Sequence, residues 1–203
     1  MSQATGEIDA AGILGDIHGM IVVGQWRLEP PEVAPATRLC LTEPGSLTER
    51  LMASGRQFAV DVLYQGDGIA HDDEAALVGR AAGDTLTARH VALTLDRETV
   101  VVARSFCRQG CAVWEPVLNR GRRSLGFTLF SGEVSLSRGA LEYASVDRRH
   151  PLFTLARSRD TSADLYPARR CRFETSGAAL VVCEVLLPAL ETQLSKSTTS
   201  LAR

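Results

Sequence analysis

The chain predicts an α+β fold built on an antiparallel sheet. Two pairs of apolar, β-rich segments are joined by very short polar connections, Asp96-Arg-Glu98 and Thr175-Ser-Gly177, and links of two or three residues fit antiparallel hairpins. A capping-box pattern, Ser46-Leu-Thr-Glu49, opens a helix ahead of the first strand. Hairpins outnumber any repeated strand-helix-strand unit, which sets a doubly wound fold aside. The 203 residues suffice for one well-cored domain.

Each element follows from its local pattern. Residues 1–24 mix Gly, Ala and Ile, and a short helix is expected there; Ile13 to Val23 reads as a core segment rather than a leader because no basic residue precedes it. Pro30, Pro31 and Pro35 mark an extended connection. The helix opened by Ser46 should end near Gly55. Phe58 to Tyr64 alternates imperfectly and reads as a strand, closed by Gly66-Asp-Gly68. The first hairpin joins Arg89–Leu95 to Thr99–Arg104. Val113 to Leu118 leads into a helix or loop, followed by the basic Arg120-Gly-Arg-Arg123 and by Leu125 to Phe130. Glu133 to Ala144 fits strand or helix equally. Asp147 to Asp164 is polar and reads as a mobile connection. Arg170–Glu174 and Ala178–Leu187 form the second hairpin, and residues 192–203, rich in Ser and Thr, a frayed flexible tail. The expected boundaries are an N-terminal extension over residues 1–38, a domain over 39–191 and the tail over 192–203.

Composition excludes several classes. A net charge of -2 argues against a nucleic-acid or anionic-membrane footprint. No apolar run is long enough to span a membrane. Five cysteines, an odd count with no secretory signal, point to a reduced, cytoplasmic protein. Cys40, Cys171 and Cys183 read as small core residues, and Cys107 with Cys111 lacks the second pair a zinc site needs. Arg120 to Arg123 and Asp147 to His150 read as solvated loop faces, the alternative being that the first borders a site for an anionic substrate.

The informative residues are three buried charges. Glu184 lies inside Ala178-Ala-Leu-Val-Val-Cys-Glu-Val-Leu-Leu-Pro188, an otherwise apolar strand, where a carboxylate must be protonated, paired or bound to a ligand. Arg89 shares a strand face with Val91, Leu93 and Leu95; Arg104 shares one with Val102 and Phe106. One acid and two arginines directed into one core fit either a buried ion pair or a pocket for a small anion. The third charge favours the pocket, because one carboxylate cannot neutralise two guanidinium groups. Gly15-Asp-Ile-His-Gly19 matches the first metal-binding block of calcineurin-like metallophosphoesterases. The other histidines, His71, His90 and His150, sit in none of the contexts such a site requires, so the match is read as chance and no metal is expected.

The order of blocks carries a resemblance. Ser46-Leu-Thr-Glu-Arg-Leu51 comes first, then Arg89 and Arg104 fifteen positions apart, Leu125-Gly126 with Leu129-Phe130, Arg169-Arg170, and last Glu184 followed by Leu187-Pro188. From about Leu41 to Pro188 the chain resembles the chorismate lyase (chorismate–pyruvate lyase) family. The resemblance implies one α+β domain whose antiparallel sheet, helices and flap segments enclose an internal ligand pocket. It further implies that Arg89 receives the product carboxylate, that Arg104 is the second pocket arginine, and that Glu184 meets the ring hydroxyl. Leu47, where some relatives have Met, and Leu125 fall on the contacts of the first and second flaps. The segment after Arg104 departs from the Val-Pro version of the enterobacterial enzymes, the loop from Gly110 to Ser124 is shorter, and the N-terminal segment is longer.

What the resemblance implies about function is a cofactor-independent elimination from chorismate, giving 4-hydroxybenzoate and pyruvate. The implied partner is the small-molecule substrate alone, without nucleic acid, and the implied assembly a monomer or small homo-oligomer. Two alternatives stand beside it. One is a related lyase releasing 3-hydroxybenzoate or acting on a chorismate derivative. The other is a non-catalytic protein of the same fold that binds small carboxylates, as effector domains of some transcription regulators do.

Overall fold

Two tight turns set the sheet. Asp96 and Arg97 (φ 50° and 71°) and Ser176 and Gly177 (φ 50° and 72°) occupy the left-handed region, the handedness of two-residue turns that match the twist of antiparallel strands. Gly177 adopts this freely; Asp96 is held there by bonds to its neighbours. Its Oδ1 accepts from the Gln57 amide at 3.0 Å and its Oδ2 from Arg56 Nη1 at 2.6 Å. The computed structural model describes residues 25–119, 121–130, 132 and 135–199.

Among the described residues seven strands form one antiparallel sheet: β1 (Phe58–Ile69), β2 (Thr85–Leu95), β3 (Glu98–Arg108), β4 (Ser137–Arg138), β5 (Glu142–Val146), β6 (Tyr166–Thr175) and β7 (Ala178–Leu186). Their order is β1-β2-β3-β7-β6-β4, with β5 also paired to β6. Helices α1 (Pro35–Leu41), α2 (Leu47–Met52), α3 (Glu115–Leu118), α4 (Leu125–Phe130) and α6 (Ala189–Thr199) cover one face; α5 (Pro151–Arg157) and a single 3-10 turn at Ala75–Val78 cover the other. The two central strands, β3 and β7, are therefore buried on both sides, which accounts for their nearly unbroken apolar runs. The architecture is the expected α+β, antiparallel domain.

A bulge controls which residues share a face. Leu95 pairs with Glu98 and Thr94 with Thr99, yet Leu93 pairs with Val101, so Val100 is the extra residue. Val100 and Val101 accordingly bury in the same cluster. Beyond the bulge every β3 side chain lies on the face opposite to that of an unbulged two-residue hairpin.

Several local expectations are corrected. β1 does not close at Gly66-Asp-Gly68 but runs on to Ile69, and Gly68 permits it: a Cβ there would lie 2.8 Å from Cβ of Ala88. The polar stretch Asp147 to Asp164 holds α5, capped by His150, whose Nδ1 accepts from the Leu152 amide at 3.1 Å with Pro151 in the first turn. For Glu133 to Ala144, which fitted strand or helix, the regular structure among the described residues is strand, β4 and the start of β5. Helix α1 begins inside the segment assigned to the extension, and Glu191 of α6 caps it by accepting from the Thr37 amide at 2.7 Å. Helix α6 runs into the segment expected as a tail. The expectations for Ile13 to Val23 and for Gly15 to Gly19 fall outside the described residues. No helix among the described residues is long and apolar enough to cross a membrane.

Candidate active site

The helix-rich face of the sheet carries the candidate site, and its floor follows from the register. One cross-strand row runs Arg89, Ser105, Val182, Cys171; the next runs Val91, Ala103, Glu184, Arg169. Above these rows lies a cavity with about 590 Å³ of space between atoms, the solvent at its mouth included. Helices α2 and α4 form the roof through Leu47 and Leu125. Ser46 caps α2, its Oγ accepting from the Glu49 amide at 3.3 Å, as the capping box predicts. The two roof helices meet closely. Thr48 Oγ1 and Ser124 Oγ share a hydrogen bond of 2.5 Å, and a Cβ at Gly126 would lie 2.7 Å from Ser46 Oγ.

The charges divide unevenly. Arg89 is 2% exposed and faces no carboxylate among the described residues. Its Nη2 donates to the carbonyls of Gly121 (2.6 Å) and Arg123 (3.1 Å), and its Nε is buried without a partner among the described residues. Burial alone pushes its pKa down, the mark of a cation lacking compensation. Gly121 and Arg123 of the basic loop thus meet Arg89 through their carbonyls, and exposed Arg122 pairs with Asp61. Glu184 is compensated. Arg169 Nε donates to its Oε2 at 2.6 Å, and Arg169 Nη1 is anchored on the carbonyls of Cys40 (3.0 Å) and Glu43 (2.9 Å).

Arg104 is not part of this cavity. The bulge at Val100 places it opposite His90, on the other face of the sheet, where its fork grips Glu74 at 2.9 Å through both Nε and Nη2. Arg104 is 5% exposed and Glu74 1%, so the pair is a buried, mutually neutralised ion pair. Of the residues singled out in the sequence, Arg89, Glu184, Leu47 and Leu125 line one cavity and Arg104 does not.

Two wall residues were missed. Arg169 stands out in the sequence only within the Arg169-Arg170 block, yet the two-residue turn at Ser176-Gly177 puts it directly opposite Glu184, a pairing that follows from counting back from the turn. Arg138 on β4 carried no sequence signal. Its guanidinium lies beside the edge-to-face pair Phe130 and Phe173, 5.0 and 5.8 Å from the ring centres; Nε reaches Cys171 Sγ at 3.2 Å and Nη1 donates to the Pro44 carbonyl. Burial pushes the Cys171 thiol up, against the pull of that bond, so the sulfur stays a neutral thiol. Among the described residues no cluster of His, Cys, Asp and Glu is placed to hold a metal ion.

Residues 27–196 match the family defined as chorismate lyase, a stretch that includes every residue lining the cavity. The chain belongs to the chorismate lyase family. It is 36% identical over 173 residues to a "Probable chorismate pyruvate-lyase" of Aromatoleum aromaticum, covering 81% of this chain and 92% of that one. A protein of the same name from an Azoarcus strain is 35% identical, covering 81% of this chain and 91% of the relative. Among solved structures, the effector domain of PhnF from Mycobacterium smegmatis superposes with a TM-score of 0.50 at 15% identity, over 71% of this chain and 90% of that one. At that identity the likeness concerns fold alone. In this chorismate lyase family member the bulge at Val100 decides which arginine the cavity receives.

Proposed function

We propose that the protein is a lyase that converts chorismate to 4-hydroxybenzoate and pyruvate without a cofactor. The observation that carries the reading is Arg89: a buried cation whose Nε has no partner among the described residues, facing a cavity that also presents a carboxylate. A buried guanidinium lacking a counter-charge is a receptor for a carboxylate, and its planar fork suits bidentate contact. Arg89 takes the ring carboxylate in this reading. Glu184, steadied through Oε2 by Arg169, offers its other oxygen to the ring 4-hydroxyl.

The chemistry asks little of the protein beyond position and charge. The C4–H and C3–O bonds break, a C3–C4 double bond completes the aromatic ring, and the released enolpyruvate takes a proton on its methylene carbon to become pyruvate. The elimination is redox-neutral and aromatisation drives it. Holding the side chain in a reactive conformer, out of water and beneath α2 and α4, supplies proximity, while cations near the departing oxygen stabilise the charge that develops there. Glu184 orients the hydroxyl and assists movement of the C4 proton.

Purified protein incubated with chorismate, followed by chromatography of the products, tests the reading. Equimolar 4-hydroxybenzoate and pyruvate are expected. Release of 3-hydroxybenzoate would assign a different elimination, and binding without turnover would make the protein a carboxylate receptor.

A further inference from the structure

With Arg104 committed to Glu74 on the far face, the second carboxylate of chorismate has no partner among the residues the sequence nominated. We propose that Arg138 receives the enolpyruvyl carboxylate and holds the leaving pyruvate, a role that rests on the lyase reading above. Three observations converge on it.

The first is position. Arg138 pairs with Phe173 on β6 and reaches Cys171, which ends the row that Arg89 begins. Three strand spacings, about 14 Å, separate the backbones carrying Arg89 and Cys171. The two guanidinium groups therefore enter the cavity from opposite sides, the arrangement a small molecule with a carboxylate at each end requires.

The second is charge. Arg138 joins no ion pair among the described residues, and its side-chain hydrogen-bond partners are a neutral thiol and a carbonyl. Its Nη2 makes no bond among those residues. The third is preorganisation. Phe130 on the roof and Phe173 on the floor lie against the guanidinium, and with the bonds to Cys171 and Pro44 they restrict the fork before a ligand binds. Through the Pro44 carbonyl it also touches the segment that leads into α2.

In the reaction, electrons of the breaking C3–O bond move onto the ether oxygen, giving the enolate of pyruvate. The proton lost from C4 balances the one gained at the methylene carbon. Arg138, paired with the adjoining carboxylate, sits where that negative charge grows.

The test compares Arg138→Gln and Arg138→Lys with the wild type, using thermal melts to confirm folding and three readouts: kcat/KM on chorismate, Kd for chorismate under non-turnover conditions, and Kd for 4-hydroxybenzoate, which lacks the enolpyruvyl group. In Arg138→Gln, chorismate affinity and kcat/KM should each fall about 100-fold or more, with 4-hydroxybenzoate affinity held within about threefold. Arg138→Lys should recover part of the loss. Unchanged chorismate affinity, or a parallel fall in affinity for both compounds, would overturn the assignment. Should the wild type bind chorismate without turning it over, the lyase reading fails, while a selective loss of chorismate binding in Arg138→Gln would still place the second carboxylate at Arg138.

Discussion

Arg89 stands opposite Ser105, not Arg104, and that one-residue difference decides what the cavity contains. Counted back from an unbulged turn at Asp96-Arg97, Arg89 and Arg104 would face each other and share a side of the sheet. The extra residue at Val100 turns Arg104 away to Glu74 and leaves Arg89 as a solitary cation over a short, uncharged Ser105. A pair of arginines on adjacent strands would repel; a serine leaves room for a ligand.

Arg89→Met should stabilise the empty protein and abolish product binding. Removing the uncompensated buried charge and the unpaired Nε relieves about 1–3 kcal/mol, more than the loss of the two bonds to the loop carbonyls of Gly121 and Arg123 should cost, so the melting temperature should rise. Affinity for 4-hydroxybenzoate should fall at least about 100-fold, the usual scale for losing a desolvated charge partner. Calorimetric titration beside thermal melts reads both, and a destabilised variant with normal affinity would contradict the role.

Arg104→Ala should do the reverse. It strands Glu74, 1% exposed, and should cost about 3–5 kcal/mol of stability. The paired change Arg104→Met with Glu74→Leu should recover most of that loss. Affinity for 4-hydroxybenzoate, measured on folded protein, should stay near wild type in the paired variant. A large loss of affinity there would return Arg104 to the binding site.

Gly126→Ala probes the roof. Alanine favours helix by about 1 kcal/mol over glycine, but here its Cβ would lie 2.7 Å from Ser46 Oγ and 2.8 Å from Thr48 Oγ1. Forcing α4 off α2 should speed 4-hydroxybenzoate release roughly tenfold, in line with the 1–3 kcal/mol of overpacked sites. Stopped-flow dissociation measures it, and an unchanged rate would show that the roof is not seated this way during release.

Stability should fall on mild acidification because of His90. Its ring nitrogen Nε2 lies 2.9 Å from Arg104 Nη1, and a guanidinium only donates, so Nε2 must accept. Burial, then the charges of Arg104 and His71, hold His90 down at about 4. The unfolded chain binds the proton near the ordinary value of about 6.5 while the folded one does not. Stability is therefore complete above about pH 6.5 and declines as pH falls towards 4. Denaturation midpoints across that window, for wild type and His90→Gln, test this; the variant should show a flatter profile, and identical profiles would contradict it.

Much of this site was legible in the sequence, and the remainder has a physical reason. Ser46 and Glu49 announce the α2 cap, the two short turns announce the hairpins, and the alternation around Glu184 places that acid with Val182 and Leu186 on the cavity face. Arg169 was equally readable from the Ser176-Gly177 turn. Arg104 was not, because a bulge inside a run of four residues, Thr99-Val-Val-Val102, has no local signature: any of those valines packs well on either face. Arg138 was hidden for another reason. It sits on a strand of two residues, too short for periodicity, and joins the site only because β4 pairs with β6 far along the chain. Helix α5 escaped because its polar flanks outweigh a few apolar positions, Leu152 and Ala156 among them.

The most direct test of the account is a single-turnover experiment in which excess protein meets chorismate and 4-hydroxybenzoate and pyruvate are quantified over time, for wild type, Arg89→Ala and Glu184→Gln. The account predicts equimolar products from the wild type and rates lower by about 100-fold or more in each variant, with Glu184→Gln still folded because the amide oxygen can accept from Arg169. Undiminished product formation in either variant, or no product from the wild type, would contradict the claim that the cavity of Arg89 and Glu184 carries out this elimination.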